Sequence, residues 1–164
     1  MAFLLSIVGF SNSGKTTLIL KLLPVLKQKG YNVAVAKFCP CGFNLDHKGK
    51  DSWRFSQAGS RGIFLSSPDS LALMRPIKQK ESVKNILYKF FQDFDIVLME
   101  SYSQEKNIPT IQIIRKKIGG EILKKSNVLA YVSDMDLDVD RAVFHPDDIS
   151  GIVRFIEKIL AVRR

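Results

Sequence analysis

Apolar positions set the first outline of this chain. Residues 3–9 form a continuous apolar run, as expected of a strand buried on both faces. Through residues 15–29, Leu18, Leu22, Val25 and Leu26 recur at helical spacing. Pro24 is predicted to bend that helix or break its last turn, and Gly30 to stop it. Residues 32–38 read as a second buried strand. Strand, Gly-rich turn, helix and strand make the βαβ unit of a parallel sheet.

Residues 39–50 show no period and read as a loop. Asp51 can cap a short helix through Ala58, closed by Gly59. Two short strands, 62–66 and 70–75, flank Ser67-Pro68-Asp69, a hairpin turn by composition. A helix is expected over 81–92, carrying Val83, Ile86, Leu87, Phe90 and Phe91. Residues 95–100 make a further buried strand that ends in an acid, Glu100, and 110–115 and 128–133 look like two more. Pro146, Asp147 and Asp148 open a last helix whose apolar face is Ile149, Ile152, Val153, Ile156 and Leu160. With no repeats and no low-complexity linker, residues 1–164 read as a single α/β domain.

The turn after the first strand carries chemistry. Gly9-Phe10-Ser11-Asn12-Ser13-Gly14-Lys15-Thr16 fits G-x-x-x-x-G-K-[ST] at every fixed position, between a buried strand and an amphipathic helix. A loop of this length wraps the β-phosphate of a purine nucleotide with successive backbone N–H groups, contributed around Ser11, Asn12 and Ser13. Gly9 and Gly14 permit the close approach. Lys15 reaches the β- and γ-oxygens, the Thr16 hydroxyl coordinates Mg²⁺, and the helix turns its positive end to the anion. Thr17 either supports the helix start or contacts the α-phosphate. The architecture expected is therefore P-loop NTPase-like: three layers, a mainly parallel sheet flanked by helices, plus a small β-hairpin extension. Such a site needs a second acid at the end of a neighbouring strand, and Glu100 fits that place. Asp95 begins the same strand, at the wrong end for the nucleotide, and reads as a solvated strand start.

Composition changes this picture little. The formal net charge of +9 suits anionic partners, but much of the charge is dispersed, at Lys78, Lys80, Lys84, Lys89, Lys116, Lys117, Lys124, Lys125, Arg163 and Arg164. No basic stripe is interleaved with aromatics, so nucleic acid is not the expected partner. No apolar run reaches the roughly 18 residues of a membrane span. The apolar start lacks a basic n-region and reads as a strand rather than a signal peptide. With two cysteines and a nucleotide motif, a cytoplasmic protein is expected.

At this point the sequence resembles a known family, MobB, the GTP-binding protein associated with the guanine dinucleotide step of molybdenum cofactor biosynthesis. Residues 9–18 resemble its G-x-S-x-S-G-K-T-T-L, here with Asn12, and Val35-Ala36-Lys37 its V-I-K. Gly49-Lys50-Asp51-Ser52-Trp53-Arg54, then Ala58-Gly59, resembles G-K-D-[ST]-[WY]-R followed by A-G. Residues 95–100, then Ile108-Pro109-Thr110-Ile111, resemble D-x-V-x-x-E-G and I-P-x-I. Two departures stand out. Where the family carries K-H-x-H-H-D-F-x-x-D, only Lys37, Phe43 and Asp46 match, Phe38, Pro40 and Cys41 replacing the histidines; and Ser101 follows Glu100 where the family prefers Gly.

The resemblance implies an accessory role: binding GTP·Mg²⁺, hydrolysing it slowly, and assisting a guanylyltransferase that attaches GMP to molybdopterin. It also implies a homodimer, for which the hairpin near residues 62–75 offers strand edges. Asp46 keeps the acidic position and either reaches Mg²⁺ through water or caps its own loop. Asp51 and Arg54, at i, i+3, either pair locally or place Arg54 near phosphate or a partner's cofactor. Cys39 and Cys41, completed by His47 or a second subunit, form a candidate metal site, against a bland reading as small residues or free thiols. Guanine preference comes from the resemblance; Asp134 after the strand 128–133 is only a fragment of a base-reading motif. Arg54, Arg61 and Arg115 are the arginines to test for hydrolysis. A small P-loop kinase, a metallochaperone GTPase and a non-enzymatic binding module stand as alternatives.

Overall fold

The computed structural model describes every residue except 45, 78–80, 124–126 and 163–164. Lys78, Lys80, Lys124, Lys125, Arg163 and Arg164, counted above among the dispersed charges, lie outside the described residues. The chain forms two compact units, Met1–Phe38 with Leu87–Arg164, and Cys39–Ile86.

The first unit is built on a six-stranded sheet in the order β2-β5-β1-β6-β7-β8. Its strands are β1 (Phe3–Val8), β2 (Val33–Lys37), β5 (Ile96–Glu100), β6 (Thr110–Ile114), β7 (Val128–Ser133) and β8 (Ala142–Phe144). Every pairing is parallel. α1 (Lys15–Gln28) and α4 (Ile149–Ala161) pack against the sheet. Leu22 and Leu26 of α1 and Ile152 and Ile156 of α4 are fully buried there with Leu5, Ile7 and Leu98. The α/β fold with a parallel sheet flanked by helices is the one the apolar pattern predicts.

Several details differ from the expectation. β5 inserts between β1 and β2, so the first βαβ crossover skips a lane and leaves β2 as an edge strand. Only Ala34 of β2 is buried, and Val35 is exposed, so this is not a strand covered on both faces. Pro24 does not break α1, which continues to Gln28. The ring removes the bond to the Leu20 carbonyl, but Leu20 faces solvent, while Leu22 and Leu26 on either side of the proline are fully buried. Burying those two leucines stabilises by about 2 kcal/mol each, enough to offset the roughly 3 kcal/mol cost of an internal proline. β8 was not expected at all; its three residues, one of them half-buried, are too short for a period.

α4 opens as expected: Asp148 caps it, accepting from the Gly151 N–H at 2.9 Å. α3 (Val83–Phe90) is shorter than the predicted 81–92.

The second unit holds α2 (Asp51–Gln57), β3 (Ile63–Ser66) and β4 (Leu71–Met74). β3 and β4 pair antiparallel, from Ile63 opposite Met74 to Ser66 opposite Leu71. The turn closes through the Ser67 N–H, which donates to the Ser70 carbonyl at 2.8 Å, and the Ser67 hydroxyl, which donates to Asp69 at 2.7 Å. Asp51 is the first residue of α2 rather than its cap; Lys50 holds the cap position and no side chain caps the end. Gly59, at φ 100°, follows the helix as predicted.

Candidate phosphate site

β1 delivers its carboxyl end to the motif loop between two neighbours, β5 and β6. The register sets Glu100 beside Ile7 of β1 and Lys37 of β2. Because side chains alternate along a strand, Glu100 shares a face with Ile96 and Leu98, which belong to the core packed by α1. The acid is thereby aimed at the start of α1. It is 6% exposed.

The loop itself is bent by three residues. Asn12 sits in the left-handed region at φ 60°, which asparagine tolerates better than most residues, and Gly14 at φ 91° forms the N-cap of α1. At Gly9 a Cβ would lie 2.6 Å from Ser13 Oγ and 2.7 Å from the Ile113 carbonyl, so only glycine fits. α1 has no side-chain cap and no acid in its first turn, leaving its first N–H groups and its positive end to an outside anion. The buried Ser13 hydroxyl has no hydrogen-bond partner among the described residues. Ser11 and Asn12 are exposed along the rim.

Thr16 Oγ1 donates to Glu100 Oε1 at 2.8 Å. The same carboxylate oxygen lies 3.3 Å from Lys37 Nζ. Lys15 Nζ donates to the Gly9 and Phe10 carbonyls at 3.1 and 2.6 Å. Burial pulls the Lys15 pKa below the ordinary lysine value; Glu100 opposes that shift and Lys37 adds to it. This set fits a polyphosphate with Mg²⁺: a loop that only glycine can close, an orphaned hydroxyl, an uncapped helix, and two hard oxygen donors in contact.

The segment after Glu100 is tied to β1. The Ser101 N–H donates to the Ile7 carbonyl at 3.0 Å, and Ser6 Oγ donates to the Tyr102 carbonyl. Tyr102 packs edge-on against Phe38 at 5.5 Å, and burial, with Glu105 beside it, pushes its phenol up to about 12. Ser101 itself takes φ 65°, a conformation that explains why glycine suits this position.

On the other flank, Thr17 lines a small cavity with Ser13, Gly14, Lys21 and Arg115. Arg115 pairs with Asp134 at 3.5 Å, and Asp134 also accepts the Lys116 N–H at 2.9 Å. Asp95, at the far end of β5, accepts the Asn32 N–H at 2.8 Å, a structural tie rather than a bare strand start.

Asp46 and Arg54 belong to the second unit. Asp46 accepts from Ser52 Oγ at 3.0 Å and from the His47 N–H at 2.9 Å. It lines a cleft of about 640 Å³ with Trp53, Arg61 and Arg75, the last held by Glu81 at 2.6 Å. Arg54 is exposed and reaches Asp51 at 3.5 Å, the local i, i+3 pair. Cys39 and Cys41 are free thiols, and among the described residues no three His, Cys, Asp or Glu side chains converge on a metal position.

Residues 4–134 match the family model for MobB, Molybdopterin guanine dinucleotide synthesis protein B. The chain belongs to the MobB family. A MobB relative from Haemophilus influenzae, a molybdopterin-guanine dinucleotide biosynthesis adapter protein, is 35% identical over 159 residues, 96% of this chain and 89% of that protein. An adapter protein of the same description from Escherichia coli is 29% identical over 159 residues, 93% of this chain and 90% of that one. The crystal structure of a molybdopterin-guanine biosynthesis protein B superposes with a TM-score of 0.78 at 31% identity, covering 96% of this chain and 99% of that chain. The V-I-K-like block and the residue after the acid were legible only as MobB motif positions. The structure gives them physical content, Lys37 as the ion-pair partner of Glu100 and Ser101 as a left-handed turn residue.

Proposed function

We propose that this MobB member is a GTP·Mg²⁺-binding accessory protein of molybdopterin guanine dinucleotide assembly, working beside a guanylyltransferase, with at most slow hydrolysis. The observation that carries the nucleotide part is the 2.8 Å bond from Thr16 to Glu100, which joins the P-loop to its acid. Gly9, Ser11, Asn12, Ser13 and Gly14 would cradle the phosphates, and Thr17 would support the α-phosphate end. Lys15 would leave the Gly9 and Phe10 carbonyls for the phosphate oxygens, regaining charged partners for an ammonium that burial penalises. Thr16 and Glu100 would hold Mg²⁺, which supplies neutralisation of phosphate charge.

The same geometry supports slow turnover. Glu100 already accepts from Thr16 and pairs with Lys37, so its carboxylate is committed to holding cations rather than to taking a proton from water. The guanine preference and the molybdopterin partner rest on family membership. So do Asp46 as a further acid toward the metal's water shell and Arg54 as a phosphate or cofactor contact, both in the second unit. The same reading makes the protein one folding and functional domain, puts it in the cytoplasm and makes it a homodimer. The β3–β4 hairpin, which exposes Phe64, Leu65, Leu71 and Leu73, is the surface we assign to the dimer.

Titration with GTP, ATP and a single-stranded oligonucleotide, with and without Mg²⁺, tests the proposal. Selective GTP binding that needs Mg²⁺ and weakens about a hundredfold or more in Lys15→Ala supports it. Preference for ATP with turnover on a small acceptor would identify a kinase instead. Oligonucleotide binding indifferent to nucleotide would leave only a binding module.

A further inference from the structure

We propose that Lys37 is a placeholder cation: in the free protein its ammonium occupies the Glu100 oxygen that Mg²⁺ takes when nucleotide binds. Metal loading is then an exchange of cations at one buried carboxylate. The inference rests on the phosphate-site reading above.

Glu100 needs a counter-charge. Its side chain is 8% exposed, and a carboxylate so buried is costly unless paired and hydrogen-bonded. Thr16 supplies a hydrogen bond but no charge. Lys15, though within electrostatic reach, spends its ammonium on the Gly9 and Phe10 carbonyls. Among the described residues, Lys37 is the cation that meets the acid, and it meets the same atom, Oε1, that Thr16 addresses.

Sheet register sets the pair side by side. Lys37 and Glu100 are direct cross-strand partners of β2 and β5, and the Phe38 N–H donates to the Glu100 carbonyl at 3.0 Å one residue on. Opposite charges so placed attract across the sheet. Yet the Lys37 side chain is 57% exposed, because β2 is an edge strand, so its long stem is free to swing into water. A buried acid fixed by the core and an exposed base on a flexible stem is an asymmetric pair: the base can leave and the acid cannot. A dication arriving at Oε1 repels Lys37 at close range, and the polyphosphate brought with it supplies the negative charge that makes the exchange favourable.

The test compares wild type with Lys37→Met, Lys37→Gln and Lys37→Arg. The Mg²⁺ concentration giving half-maximal GTP binding should fall about two- to fivefold in Met and Gln, the range for a part-exposed ion pair, and stay near wild type in Arg. Separately, Mg²⁺ alone, without nucleotide, should raise the melting temperature of the Met and Gln variants more than that of wild type or Arg. An unchanged or higher Mg²⁺ midpoint in both neutral variants, or equal thermal response to Mg²⁺ across all four proteins, would overturn the proposal. Wild type that fails to bind GTP at saturating Mg²⁺ would instead sink the nucleotide reading, while the metal-only melting series still judges Lys37. Gln retains a donor to Glu100, so it serves if Met does not fold.

Discussion

In the unit that carries the P-loop, all six residues of β1 and all five of β5 are buried. In residues 39–86, α2 buries none of its residues, and three of four residues in each strand of the hairpin are exposed. The two regions use apolar residues differently. In the first, Leu5, Leu22 and Ile156 form a core whose packing holds Thr16 and Glu100 in hydrogen-bond contact. In the second, Phe64, Leu65, Leu71 and Leu73 lie at the surface, on a hairpin too small to be stable alone. A precise site demands the first arrangement; a recognition surface is served by the second.

Three substitutions sharpen that contrast. Leu22→Ala, in the core beneath the P-loop helix, should cost about 3 kcal/mol in denaturant unfolding; a loss below about 1 kcal/mol would mean the core is not what supports the site. Ser101→Gly should raise stability by about 1 kcal/mol, because it removes a left-handed non-glycine residue, and an unchanged unfolding midpoint would show the turn to be unstrained. Leu71→Ala in the hairpin should leave monomer stability within about 0.5 kcal/mol while shifting the mass by light scattering toward the monomer. Wild type that is already monomeric at micromolar concentration would remove the dimer from the proposed function.

The parts of the site set by local order were legible in the sequence. The P-loop announces itself by fixed spacing between a strand and a helix, and Glu100 by ending an apolar run. What depends on the order of strands in the sheet was not. Nothing in residues 32–38 tells that β5 will take the lane beside β1 and push β2 to the edge, and the pairing of Lys37 with Glu100 follows from that insertion alone. The break that Pro24 could make in the last turn does not occur for the opposite reason, since the tertiary burial of Leu22 and Leu26 outweighs the local penalty. Asp46 and Arg54 were singled out by motif position, and the structure gives each a local partner within the second unit.

The insertion of β5 also has a consequence in time. Thr16 and its acid are separated by 84 residues, with the whole of the second unit synthesised between them. A chain emerging from the ribosome carries the whole P-loop sequence before Glu100 is synthesised. Non-local pairings of this kind carry a loop-closure cost and slow folding relative to local contacts. Until the pairing forms, the loop lacks the acid with which the proposed metal site would be completed.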